Sequence, residues 1–121
     1  AAEAFAARTR LTGAVGRWDA AVSPDGSRVA WVHSASNRPP EVYVGAIGET
    51  PVRVTESPTA AWLAAYPWQE AEIVHVPASD GARVPARMFR PEAFGAAPNG
   101  AAVLFVHGAG YLQNAHRWWS Q

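Results

Sequence analysis

His107-Gly108-Ala109-Gly110-Tyr111 is the stretch whose residue types and order best suit chemistry. It follows directly on an apolar run, "AAVLFV" at 101–106. Small residues at the tip of a strand let backbone N–H groups approach a ligand closely. Donors of this kind, aimed at an oxygen that becomes negative during acyl transfer, are worth about 3 kcal/mol each. Gly108 and Ala109 are the backbone candidates, His107 would shape the turn, and Tyr111 could add a phenolic donor. The same residues also describe a tight strand-to-loop turn with no ligand.

The remaining parts of a hydrolytic machine are not in this chain. A serine nucleophile at the top of an α/β sheet sits in Gly-x-Ser-x-Gly on a sharp strand-to-helix turn. None of Ser23, Ser27, Ser34, Ser36, Ser57, Ser79 or Ser120 has that setting. In that chain order the acid and base follow the nucleophile, so no triad residue is assigned here. The four histidines (33, 75, 107 and 116) form no HExxH-type pair, and there is no cysteine. Disulfides, thiolate zinc sites and a cysteine nucleophile are therefore excluded. No metal and no cofactor is assigned. His33 and His75 read as strand residues with satisfied ring nitrogens. The six tryptophans read as packing between sheets, with Trp118-Trp119 anchoring the loop after "HGAG".

The chain must build the elements that position this loop. Its 121 residues suit one ordinary domain, with 49% hydrophobic and 17% charged residues. Ten basic residues, all arginine, balance ten carboxylates. A neutral chain argues against nucleic acid as partner, which calls for a basic face. "AAVLFV" falls far short of the roughly 20 apolar residues of a membrane span. "AAEAFAARTR" lacks the basic-then-apolar order of a secretory signal. Nothing here fixes a compartment; a periplasmic or secreted bacterial location is compatible.

The first half reads as strands and turns. "SPDG" at 23–26 is a tight turn. "RVAWVHS" follows with period two, Val29, Trp31 and His33 on one face and Arg28, Ala30 and Val32 on the other. "ASNRPP" reads as a longer loop and "EVYVGAI" as the next strand. Leu11-Thr12 and Val54-Thr55 stand about 43 residues apart, with Trp18 and Trp62 following at similar offsets. A period of about 40–45 residues with four short strands is that of a β-propeller blade, so "VRVTESPTAAWLAAYP" reads as the start of a degenerate second copy. A plain β-meander gives the same local pattern.

The character changes near Ala64–Trp68. Ile73, Val74 and Val76 lead into Asp80-Gly81, and Val84, Ala86 and Met88 follow, which predicts a hairpin. "RPEAFGAAPNG" is a loop. "AAVLFV", apolar at every position, predicts a strand buried on both faces of a sheet. No long helix is predicted, although a doubly wound sheet needs crossover helices. The expectation is a segment of a larger protein.

Two segments point to one family. "SPDGSRVAWVHS…EVYV" resembles the propeller repeat of the prolyl oligopeptidase superfamily and of Tol-type propellers. "EIVHVPASDGARVPARMFRPE…AAVLFVHGAGYLQNAHRWWSQ" resembles the opening of that superfamily's catalytic domain, nearest its dipeptidyl peptidase IV-like branch. The resemblance covers nearly the whole chain, and the ordered pair is more specific than either half. It implies a mixed fold: residues 1–65 as the last blade or blades of an all-β propeller, and 66–121 as the first strands of an incomplete α/β-hydrolase domain. It implies a serine peptidase acting on short peptides, often after proline, with peptide substrate, the rest of the polypeptide and a homodimer of the full protein as partners. The segment alone would be inactive. An esterase or acyl-peptide hydrolase of the same architecture, or a non-catalytic propeller-type interaction module, are the alternatives. The family often has Tyr-Gly-Gly or Tyr-Ala-Gly at this strand end, where this chain has His107; Tyr111, four residues on, does not simply inherit that tyrosine's role.

Overall fold

A computed structural model describes residues 10–120. Residues 1–9, which include most of "AAEAFAARTR" and the start of the expected first unit, lie outside the described residues, as does Gln121. The described chain is mostly small antiparallel sheets with one short helix. In order the elements are β1 (Arg17–Val22), β2 (Arg28–Ala35), β3 (Arg38–Ala46), β4 (Val52–Arg53), α1 (Ala60–Ala65), β5 (Glu72–Pro77) and β6 (Arg83–Met88). The first four strands form one sheet in sequential order, and β5 and β6 form a separate hairpin.

The β1–β2 turn is built by its own side chains. Asp25 accepts from the Ser23 hydroxyl at 2.6 Å, the Ser27 hydroxyl at 2.8 Å and the Ser27 amide at 3.1 Å. Ser23 closes the strand ends by exchanging bonds with Arg28. The Ser23 and Ser27 bonds stabilise the ionised carboxylate and hold Asp25 at about 2, well below its ordinary value.

Period two then sorts the sheet into two faces. Trp18 pairs with His33 and Trp31 with Tyr43, so these four share one face. The His33 ring stacks on Trp18 with centroids 4.0 Å apart, and Trp31 meets Trp18 edge-on at 6.0 Å. Such pairs add about 0.5–1.5 kcal/mol each beyond the area they bury. Gly16 admits the strand to this cluster. Its φ is +131°, and a Cβ there would meet the Ser34 carbonyl oxygen at 2.1 Å.

The expected longer loop at "ASNRPP" is not formed. Ala35 pairs with Arg38 across a two-residue turn, Ser36-Asn37, and the register shifts between His33 and Ala35. Pro39 and Pro40 therefore lie inside β3, near the irregularity and before β4 pairing begins at Tyr43. Proline is tolerated there because no ladder requires its missing N–H.

The expected second copy is not a second sheet. Val52 and Arg53 pair with Val44 and Tyr43 as the fourth strand of the same sheet. Trp62 lies on α1, not on a strand equivalent to that of Trp18. The cause is local: "AAWLAA" has strong helix propensity, and the Thr59 hydroxyl caps it by accepting the Trp62 amide at 3.1 Å. Glu41, only 5% exposed, holds the strap after β4. Its carboxylate accepts from the Ser57 amide at 2.7 Å and from the Thr55 hydroxyl, which itself accepts from the Val42 amide at 2.8 Å.

The Asp80-Gly81 hairpin forms as expected. Ile73 pairs with Arg87 and Val76 with Val84, around a loop where Asp80 accepts the Ala82 amide and Gly81 has φ +85°. Two bonds tie residues on either side of this hairpin, Ala71 just before it and Trp119 well after it, to the β2–β3 end of the larger sheet. The Ser36 hydroxyl accepts from the Ala71 amide at 3.1 Å, and the Ser34 hydroxyl from the Trp119 amide at 3.4 Å. Trp62, Trp68 and Trp119 pack together beside them, Trp62 and Trp68 stacked at 3.9 Å. Among the described residues the buried apolar set is small: Val29, Ala35 and Ala71. No described helix is long and apolar enough to cross a membrane.

Candidate functional site

The chain leaves β6 through a 3-10 turn at Pro91–Phe94, which Gly95 ends in the left-handed region at φ +71°. Gly100, at φ +80°, turns it again, and the Asn99 side chain accepts the Ala101 amide at 3.0 Å. The segment predicted as a doubly buried strand follows. Among the described residues it pairs with no strand. Val103, Leu104, Phe105 and Val106 are exposed, Leu104 to 86%. The physical reason is a lack of partners: among the described residues β5 and β6 pair only with each other, and nothing covers Val103 to Val106. Six apolar residues carry the composition of an interior strand with no described interior to occupy.

His107, Gly108, Ala109 and Tyr111 then follow in one exposed loop. The His107 ring Nδ1 lies 2.7 Å from the Gly108 carbonyl oxygen, and the Leu112 amide donates to the Ala109 carbonyl at 2.9 Å, which closes a turn. Ala109 has φ +61°, the one non-glycine residue with positive φ among those described. That conformation costs an alanine about 1–2 kcal/mol. Gly108 and Gly110 face open space. The backbone N–H groups of 108–111 make no hydrogen bond to any described residue. Chemically, the loop offers a run of free donors with one residue held in a strained turn. The Tyr111 side chain is 88% exposed and is not drawn toward those donors by any hydrogen bond.

Six of the seven serines have other tasks. Ser23 and Ser27 bind Asp25, Ser34 and Ser36 accept backbone amides, Ser57 binds at Glu41, and Ser120 accepts from Arg87. His33 sits in the aromatic cluster with Nε2 3.0 Å from the Val15 carbonyl oxygen, in line with a strand residue whose ring is satisfied. His75 is an exposed residue of β5. Among the described residues no three His, Cys, Asp or Glu side chains group as metal ligands.

Two features were not legible from residue order. One is a cleft of about 490 Å³ lined by Tyr66, Pro67, Trp68, Phe89 and Phe94, which none of the loop candidates reaches. The other is His116, buried beside Trp118, with rings parallel and 3.6 Å apart. Burial first, and the Arg87 guanidinium second, hold its pKa below the ordinary histidine value, against a smaller opposing effect of the Trp118 backbone. The burial of His116 rests on the return of the chain after Leu112, which no periodicity announces. Comparisons with protein-family models, with curated proteins and with solved structures match nothing to this chain.

Proposed function

We propose that these residues belong to a serine peptidase of the prolyl oligopeptidase superfamily, at the junction of its propeller and its α/β-hydrolase domain. The observation that carries this reading is residues 101–111. An apolar run composed like an interior strand ends in a turn whose backbone donors at Gly108 and Ala109 are free. A four-stranded antiparallel sheet of blade size precedes it, followed by a hairpin. Buried in a completed sheet, the run would fix the loop at the carboxyl end of a strand, where these donors would stabilise the oxyanion of peptide-bond cleavage. His107 would orient the turn, and Tyr111 is the weaker candidate. The nucleophile, acid and base would come from elsewhere in the same polypeptide. The propeller would limit access to short peptides, and a homodimer is in keeping with this reading.

The test is twofold. The 121-residue chain should hydrolyse no peptide or ester substrate. The reading frame continued past Gln121 should encode Gly-x-Ser-x-Gly roughly a hundred residues on. Activity of the isolated chain, or further blades in place of that motif, would refute the proposal, and the second result would favour an interaction module. Cleavage of esters but not of peptides by the complete polypeptide would favour the esterase alternative.

A further inference from the structure

The aromatic cleft of about 490 Å³ is built by two pairs of rings from different parts of the chain. Tyr66 and Trp68, in the segment after α1, meet with centroids 5.3 Å apart, and Phe89 and Phe94, beyond β6, at 6.3 Å. Among the described residues no ring of one pair packs on a ring of the other, so the space between them is open. Trp68 is fixed in place: its indole N–H donates to the Trp62 carbonyl at 3.1 Å, and its ring stacks on Trp62 at 3.9 Å. Tyr66, Phe89 and Phe94 remain exposed. The polar members of the lining, Ser36 and Gln69, are neutral. The Ser36 hydroxyl accepts the Ala71 amide at 3.1 Å, which leaves its own proton to donate. Arg87, whose guanidinium carbon lies 5.9 Å from the Phe89 ring centre, does not line the cleft, and its charge weighs against a cationic guest.

Small-molecule sites have this make-up: volumes of about 300–1,000 Å³, apolar and aromatic walls, and a few placed polar groups. We propose that the cleft binds a small, neutral, flat aromatic molecule whose one acceptor oxygen takes the Ser36 hydroxyl proton. Aromatic rings gain from a ring that stacks on them or meets them edge-on, and the exposed faces here have no other partner. No charged side chain lines the cleft, so an ionised guest would give up hydration without a counter-charge. None of the lining residues lies in a strand, so no open ladder is at hand to hold the backbone of a peptide. None of residues 101–111 lines the cleft, so it is separate from the loop proposed above for peptide cleavage.

The experiment is an NMR titration of the ¹⁵N-labelled chain at pH 7 with 2-naphthol, reading the indole N–H cross-peaks of Trp68 and Trp18 and the backbone amides. The expected result is a saturable shift at Trp68 and at the amides of Phe89 and Phe94, with Trp18, which lies outside the cleft, unmoved. The anion 2-naphthoate and the cation 2-naphthyltrimethylammonium should each bind at least about tenfold more weakly. Phe94→Ala should weaken 2-naphthol binding by about tenfold, and Phe94→Leu, which keeps apolar bulk without the ring, by about threefold. Should the alanine variant fail to fold, the leucine variant decides. Shifts that never saturate, that fall on Val103–Val106 with Trp68 unmoved, or that survive both Phe94 variants undiminished would overturn the site. Equal or tighter binding of either ion would overturn its neutral character. Tighter binding of N-acetylphenylalanine N-methylamide would make the occupant a peptide side chain. A Trp68 signal that moves on dilution of the chain alone would make it a second copy, and loss of 2-naphthol binding in the complete polypeptide would make it the remainder of that polypeptide. Each of these three results would overturn the small-molecule assignment.

Discussion

Leu104→Asp separates the two states ascribed to residues 101–106. Leu104 is 86% exposed, between Val103 and Phe105, which are exposed as well. In the 121-residue chain the substitution removes no buried area, so its effect on unfolding free energy should stay within about 0.5 kcal/mol. It should also lower self-association, because a charge interrupts an apolar, strand-forming run that has no gatekeeper. In a completed α/β domain the same leucine would be an interior residue. There the loss of its burial alone is about 2–5 kcal/mol, as for leucine truncations in cores, and a buried carboxylate adds to it. Two assays read this: urea unfolding followed by tryptophan fluorescence, and sedimentation velocity. The expected pattern for the 121 residues is an unchanged urea midpoint with a smaller aggregated fraction. For the complete polypeptide it is loss of folded protein. A destabilised 121-residue variant would show that the run is packed in this chain. A complete polypeptide indifferent to the change would refute an interior strand.

Gly16→Ala should destabilise the four-stranded sheet by about 2–3 kcal/mol, since its Cβ would strike the Ser34 carbonyl at a residue with φ +131°. Gly26→Ala, also at positive φ but facing open space, should cost only about 1 kcal/mol, so equal urea midpoints for the two would count against the clash. Glu41→Ala should cost about 2–3 kcal/mol by leaving the Ser57 amide and Thr55 hydroxyl unpartnered. Amide exchange should quicken at Val54 and Ser57 before it does in β2, and uniform quickening would contradict the strap assignment. Asp25, held at about 2, stabilises the β1–β2 turn fully above its unfolded value of 3.8, and this contribution is lost as pH falls from there through about 2. Asp25→Asn should flatten that part of the acid unfolding curve, and superimposable curves would dismiss it.

The legible parts of the fold were those written in short-range chemistry. Val29, Trp31 and His33 alternate as the period required, and Ser-Pro-Asp-Gly and Asp80-Gly81 form the expected turns. The errors came where a local signal competed with a distant one. Two prolines in "ASNRPP" suggested a loop, yet the register slip at Ala35 gives them a place within β3. The "VRVT" echo of "TRLT" suggested a new repeat, yet an unused edge of β3 and the buried Glu41 draw it into the existing sheet. The buried reading of "AAVLFV" followed from composition, which records the partners a strand requires and not whether they are within reach. Within the candidate site, the loop residues were legible as a cluster of small side chains. The left-handed turn at Ala109 was not, because alanine carries no signal for positive φ. Nor was the burial of His116, which depends on the return of the chain.

The central claim is that residues 101–111 are the oxyanion strand and loop of a serine hydrolase. The most direct measurement is mass-spectrometric mapping of a fluorophosphonate adduct on the polypeptide encoded by the complete reading frame. The account predicts one adduct, on the serine of a Gly-x-Ser-x-Gly sequence beyond Gln121, together with loss of peptide cleavage. A folded polypeptide that takes up no fluorophosphonate, or an adduct on a serine outside such a sequence, would contradict it.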